Sequence, residues 1–193
     1  HPAKQLCTGE GGMVISKNDK QQQLDLLKAF GVDRSFLHRA SPGQYDVVDV
    51  GFNFRMPELP AALGVEQMKK ATAILESRER NYQSYMKLPR LADRSLIQPE
   101  GSSRYCFIMM LDSNAQRSAL QEKLREEGIG SSVYYPNPVC EFAIYKKLDF
   151  LKSNIDNAAK IAYQSIALPV GPHLTEEDAD HIGTTVSHFL KTS

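Results

Sequence analysis

The sequence predicts an α/β protein in which a long helix joins part of one domain to a compact α+β domain, and three features carry that prediction. Pro57 opens the strongest helical pattern in the chain, which runs to Leu88-Pro89. Before it stand a glycine-entered apolar run and a short amphipathic segment. After it, apolar strand-like runs alternate with amphipathic helical ones, as in a layered α+β domain. On this basis the chain divides into residues 1–56, the linking helix 57–88 and residues 89–193.

Gly11-Gly12-Met13-Val14-Ile15-Ser16 reads as a short buried strand entered through a glycine turn. Asn18 or Asp19 can cap the helix that follows, which carries Leu24, Leu26, Leu27 and Phe30 and is ended by Gly31. Residues 32–56 form a long connection containing the turn signal Ser41-Pro42-Gly43. Connections of this length in a compact domain are often functional or held by a partner. Pro57 suits the first turn of the next helix, where its missing N–H costs nothing. Val65, Met68, Thr72, Leu75, Tyr82 and Met86 then give one apolar stripe, with Glu66, Lys69, Lys70, Glu76, Glu79 and Arg80 on the remaining surface. A helix this long without internal breaks bridges two domains or pairs with another helix.

Beyond it, Tyr105 to Leu111 is continuously apolar, as expected of a strand covered on both faces. Residues 114–127 suit an amphipathic helix through Leu120 and Leu124, stopped by Gly128. Ile129 to Tyr135 reads as the next strand, ended by Pro136-Asn137-Pro138. Residues 154–166 give a further helix with Ile155, Ala158, Ala159, Ala162 and Ile166 on its apolar positions. Thr175-Glu176-Glu177-Asp178 has the form of a capping box opening a last helix to about Leu190.

Composition narrows the function. Lys+Arg and Asp+Glu both number 23, so no net charge draws the chain to nucleic acid or an anionic membrane. No apolar run approaches the ~20 residues that span a bilayer. Cys7, Cys106 and Cys140 are odd in number and widely spaced, which reads as reduced thiols in a cytoplasmic protein and not as a zinc site. His38, His173, His181 and His188 lack metal-site spacing, and the seven-residue step from His181 to His188 reads as one helix surface stripe. No metal is expected. The chain opens on His1-Pro2-Ala3-Lys4 without an initiator Met, as a processed, truncated or internal piece of a longer protein would.

The residues suited to chemistry cluster in two short stretches. Lys4 lies in His1-Pro2-Ala3-Lys4-Gln5-Leu6-Cys7-Thr8-Gly9-Glu10-Gly11-Gly12-Met13. A lysine amine can form an imine with an aldehyde and later move a proton. A lone lysine beside glycines is more often a solvated surface group or part of a frayed terminus. The second stretch is Gly51-Phe52-Asn53-Phe54-Arg55-Met56, followed by Glu58-Leu59 and Ala61-Ala62-Leu63-Gly64. A third, weaker stretch is Val133-Tyr134-Tyr135-Pro136-Asn137-Pro138-Val139-Cys140.

Together these stretches resemble the sugar aminotransferases of the DegT/DnrJ/EryC1/StrS family, over His1 to about Leu190. The resemblance implies the C-terminal half of a fold type I aminotransferase that depends on pyridoxal phosphate. Residues 1–56 would then be a remnant of the large cofactor-binding domain. It further implies that Lys4 is the catalytic lysine, joined to the cofactor as a Schiff base. Asn53 would reach across a homodimer interface to the neighbour's cofactor phosphate. Arg55 could hold a substrate or donor carboxylate bidentately, with a structural ion pair as its alternative. Phe52 and Phe54 stand where the family has tyrosines and lack their hydroxyls. Tyr135 is a candidate at the substrate mouth, with aromatic packing as its alternative, and Cys140 stands where many relatives carry histidine.

The implied reaction is amination of a nucleotide-linked keto sugar, with an amino acid, glutamate in most relatives, as donor. The other half of a family member would supply the acidic partner of the pyridine nitrogen, the stacking aromatic and the phosphate-binding serine. The isolated chain is therefore expected to be inactive. Two other readings stay open: a non-catalytic folding and dimerisation module, and one half of a split aminotransferase.

Overall fold

The computed structural model describes residues 4–33, 43–148 and 154–192. The chain forms two compact units, His1–Lys69 and Lys70–Ser193. The turn expected at Ser41-Pro42 and the side chain of His38 lie outside the described residues, as do residues 1–3.

In the first unit, helix α1 spans Gln21–Lys28. Its N-cap is Lys20, one or two residues beyond the expected Asp19 or Asn18; Asn18 is taken into a local turn, its N–H donating to Ser16 Oγ (3.2 Å) and that hydroxyl donating to Asn18 O (3.0 Å). The helix ends through two left-handed residues, Phe30 at φ 65° and Gly31 at φ 67°. The Gly31 N–H closes it by donating to Leu26 O at 2.8 Å. Strands β1 (Val32–Asp33) and β2 (Asp46–Val47) then pair antiparallel.

Two expectations fail, one in this unit and one where it ends. Gly11–Ser16 is not a buried strand. Met13, Val14 and Ile15 are exposed, and no described residue pairs with them. A strand exists only as one side of a ladder. The helix expected over 57–88 is also not continuous. It is α2 (Glu58–Lys69) and α3 (Ala71–Met86), separated by a turn at Lys70, which is the N-cap of α3 and whose carbonyl accepts the Ile74 N–H at 3.0 Å. The apolar stripe divides accordingly: Val65, Met68 and Leu75 are exposed, while Tyr82 is buried. Periodicity records which face is apolar, but one turn at Lys70 is enough to divide the stripe between two helices.

The second unit holds the larger core. Strands β3 (Phe107–Met110) and β4 (Ser165–Leu168) pair antiparallel, with Phe107 opposite Leu168 and Met109 opposite Ile166. Single bridges extend this sheet on both sides, Ser95 to Met109 and Ser132 to Ala167. The strand expected over 129–135 is thus one bridge at Ser132, which exchanges N–H···O bonds of 3.0 and 2.8 Å with Ala167. The helix expected over 154–166 is α7 (Asp156–Gln164), and Ile166 belongs to β4 instead. Helix α5 (Asn114–Glu126) is capped by Ser113, buries Leu120 and Leu124, and is followed by Gly128 at φ 71°. Short helices α4 (Pro89–Ala92) and α6 (Ala143–Lys146) fill the connections.

Helix α8 (Glu176–Thr192) opens with the expected capping box. Asp178 Oδ2 accepts from the Thr175 N–H (2.9 Å), and Thr175 Oγ1 accepts from the Asp178 N–H (3.1 Å). It packs against α3 around Tyr85, whose ring meets Phe107 edge-on at 5.1 Å. The Tyr85 hydroxyl donates to Pro169 O at 2.8 Å, and burial pushes its pKa up. Buried Arg78 ties α3 to the loop that leads into β3 by donating to the carbonyls of Arg104 (3.3 Å) and Tyr105 (2.9 Å).

Candidate functional site

The segment carrying Asn53 is fixed by its backbone. The N–H groups of Phe52 and Phe54 donate to Leu27 O (2.7 Å) and Lys28 O (2.9 Å), and the Phe30 N–H donates to Phe52 O (2.9 Å). Asn53 bridges Ala29 within this ladder. The last carbonyls of α1, which have no partner inside the helix, are therefore satisfied by the site segment itself. Two glycines make the approach possible. A Cβ on Gly51 would stand 2.0 Å from the Gly31 nitrogen, and one on Gly31 would stand 1.7 Å from Asp49 O.

On this frame Phe52 and Phe54 stack at 5.2 Å between ring centroids. Asn53 and Arg55 are both exposed, and Arg55 Nε donates to Asn53 Oδ1 at 3.3 Å. The Arg55 guanidinium also lies over the Phe30 ring, 4.9 Å from its centroid. Asn53 Nδ2 and the terminal nitrogens of Arg55 have no hydrogen-bond partner among the described residues. Phe30 is a site residue that sequence reading missed, having been assigned to the apolar face of α1. The left-handed backbone at Phe30-Gly31 turns its ring away from that face, and only the adjoining Gly31 hinted at such an ending.

Lys4 is exposed, at the start of a glycine-rich loop. Within the loop the Thr8 hydroxyl donates to Glu10 O at 2.9 Å. A Cβ on Gly64 would lie 3.2 Å from the Thr8 methyl, and one on Gly11 would lie 2.9 Å from the end of Met56. The lysine loop and the Asn53–Met56 segment are thus parts of one packed unit.

An open cavity of about 870 Å³ lies beside them, walled by Gly11, Met13, Leu24, Leu27, Phe52 and Phe54 among others. Arg55, Glu10 and the Asp25–Lys28 pair supply its charges, while Lys4 and Asn53 are not among its walls. Lys28 Nζ lies 2.8 Å from Asp25 Oδ1. That contact, with the Gln21 amide, holds the Asp25 carboxyl below the usual carboxylate range.

Tyr135 belongs to the second unit, where it is exposed and meets the Tyr134 ring edge-on at 5.8 Å. Cys140 is a half-buried free thiol. Among the described residues no three His, Cys, Asp or Glu side chains converge as metal ligands, and no helix is long and apolar enough to cross a membrane.

Comparison with known proteins supplies the lineage. The transaminase for UDP-4-amino-4,6-dideoxy-N-acetyl-beta-L-altrosamine of Campylobacter jejuni is 30% identical over 99% of this chain and 51% of its own length. A putative sugar aminotransferase of Streptococcus pneumoniae, solved in its PMP form, superposes with a TM-score of 0.82 at 24% identity, covering 100% of this chain and 52% of that one. PseC of Helicobacter pylori, an aminotransferase of pseudoaminic acid biosynthesis, gives a TM-score of 0.75 at 21% identity over 89% of this chain and 46% of its own. The chain spans about half the length of the curated relatives it matches. The family model of the DegT/DnrJ/EryC1/StrS aminotransferases matches residues 1–187, and this chain belongs to that family.

Proposed function

We propose that the chain is the lysine-bearing, C-terminal half of a fold type I sugar aminotransferase that converts a nucleotide-linked keto sugar to an amino sugar, with glutamate as amino donor. The observation that carries this reading is Lys4, exposed on a tethered loop, in the same unit as Asn53, whose amide donor is unengaged. Pyridoxal phosphate is the cofactor that membership of the family indicates. The donors present suit its two ends, an amine for the aldehyde and an amide N–H for the phosphate. When bound, the cofactor supplies the electron sink for moving an amino group between carbons.

The residues of the chain then have separate tasks. The Lys4 ε-amine would hold the cofactor through its aldehyde and, when free, would serve as the base that takes up and returns the proton. Asn53 Nδ2 would donate to a phosphate oxygen of the cofactor held by the neighbouring protomer of a homodimer. The terminal nitrogens of Arg55 form a fork that suits a carboxylate, and Tyr135 offers a hydroxyl to the sugar nucleotide. The setting is cytoplasmic. Because the chain spans about half of its relatives' length, a split enzyme completed by a second chain is the alternative, followed by a non-catalytic dimerisation module.

The test is an absorbance scan with saturating pyridoxal phosphate, then borohydride reduction and peptide mass mapping. A visible band and a reduced adduct on Lys4, both lost in Lys4→Ala, are expected when the other half is present. A band that appears only after mixing with a separate N-terminal half selects the split enzyme. An adduct on another lysine, or none under either condition, would falsify the cofactor reading.

A further inference from the structure

We infer that Arg55 is a positioning residue that sets the orientation of the Asn53 amide, leaving its nitrogen end as the only face offered to an anion. This rests on the cofactor reading above. An asparagine amide has two nearly isosteric ends, one a donor and one an acceptor. An amide that can rotate freely presents its oxygen to a phosphate as readily as its NH2, and the oxygen is repelled. Arginine resolves the choice because it has five N–H donors and no acceptor. With Arg55 Nε 3.3 Å away, the amide oxygen is the only end of Asn53 that can face the guanidinium. The NH2 end then points elsewhere, and no described residue occupies it.

The guanidinium is itself held. Its central carbon lies over the Phe30 ring, and Phe30 is placed by the left-handed turn that ends α1. The backbone on either side of Asn53 is fixed to α1 by the N–H groups of Phe52 and Phe54. Only χ1 and χ2 of Asn53 are thus left to be set, and Arg55 sets the second. Nε serves Asn53, so the two terminal nitrogens remain for a carboxylate, and the two roles of Arg55 do not compete.

The experiment compares dissociation constants for pyridoxal phosphate and for pyridoxal, which lacks the phosphate, in the complete cofactor-binding protein. The variants are Asn53→Ala, Arg55→Met, Arg55→Lys and the double variant Asn53→Ala/Arg55→Met. Arg55→Met is expected to weaken pyridoxal phosphate about five- to tenfold, one hydrogen bond's worth, and to leave pyridoxal unchanged. The double variant should be no weaker than Asn53→Ala alone. Arg55→Lys, also a donor without an acceptor, should recover part of the loss. Additive losses in the double variant would overturn the inference, since Arg55 would then act on the phosphate directly. So would an unchanged pyridoxal phosphate affinity in Arg55→Met with a raised KM for glutamate, which assigns Arg55 to the donor alone. A wild type that binds both compounds equally overturns the phosphate role of Asn53, and one that binds neither overturns the cofactor reading itself.

Discussion

Replacing Gly51 by alanine should detach the Asn53 segment from α1 without unfolding the chain. The added methyl carbon would stand 2.0 Å from the Gly31 nitrogen, 2.5 Å from the Phe30 carbonyl carbon and 2.6 Å from Leu26 O. All three are backbone atoms, so no side chain can swing aside to admit it. The segment must move outward, and the hydrogen bonds it would break are Phe30 N–H to Phe52 O, Phe52 N–H to Leu27 O and Phe54 N–H to Lys28 O. At about 1 kcal/mol each, their loss lowers the local opening free energy by about 3 kcal/mol. Amide hydrogen exchange at Phe30, Phe52 and Phe54 should therefore quicken roughly a hundredfold. Gly12→Ala is the control, because a Cβ there meets nothing within 4 Å. Phe107 and Met109, in the sheet of the other unit, should keep their native exchange rates in both variants. If Gly51→Ala folds and the three site amides exchange at native rates, the close approach of Gly51 to Gly31 does not hold the segment, and the reasoning fails.

Three further outcomes follow from the second unit. Tyr85→Phe removes the donor to Pro169 O and should lower stability by about 1–2 kcal/mol, read from the urea midpoint at constant slope. Ser113→Ala removes the oxygen that accepts the Gln116 N–H at 3.1 Å and should cost about 1 kcal/mol, visible as faster exchange in the first turn of α5. Asp178 is held below the usual carboxylate range, first by the backbone N–H of Thr175 and then by its hydroxyl. Its contribution to stability is therefore complete above the unfolded carboxylate pKa and disappears as pH falls through the depressed folded value. Asp178→Asn should be less stable than the wild type near neutrality, and the gap should close on acidification. A gap that stays constant down to the acid transition would refute the assignment.

How far the sequence could be read depended on where each element finds its partners. Features whose partners are local in sequence were legible: the Thr175–Asp178 capping box, the stop at Gly128, the helix over Leu120 and Leu124, and Gly31 at the end of α1. Among features that need a distant partner, the strand within Tyr105–Leu111 was legible as β3, because its apolar run is continuous; the others were not. The run from Gly11 to Ser16 has the composition of a strand, yet no described residue pairs with it. Ile166 has the spacing of the preceding helix, but a ladder opposite Met109 draws it into β4. The stripe from Val65 to Met86 is periodic throughout, and nothing in its period records the break at Lys70.

The site divides along the same line. Residue identity pointed to Lys4 and Asn53 through the resemblance of their segments to a family, which is information about ancestry and not about packing. The geometry adds what no residue type states on its own. Asn53 sits on carbonyls that α1 leaves unsatisfied, and the orientation of its amide is dictated by a neighbour that can only donate. Phe30 could not be found by periodicity because its backbone leaves the helical region one residue before Gly31. An aromatic ring directly before a helix-ending glycine therefore has two fates, the core face or the far side of the turn. Here the second was taken, and Phe30 serves as the platform on which Arg55 rests.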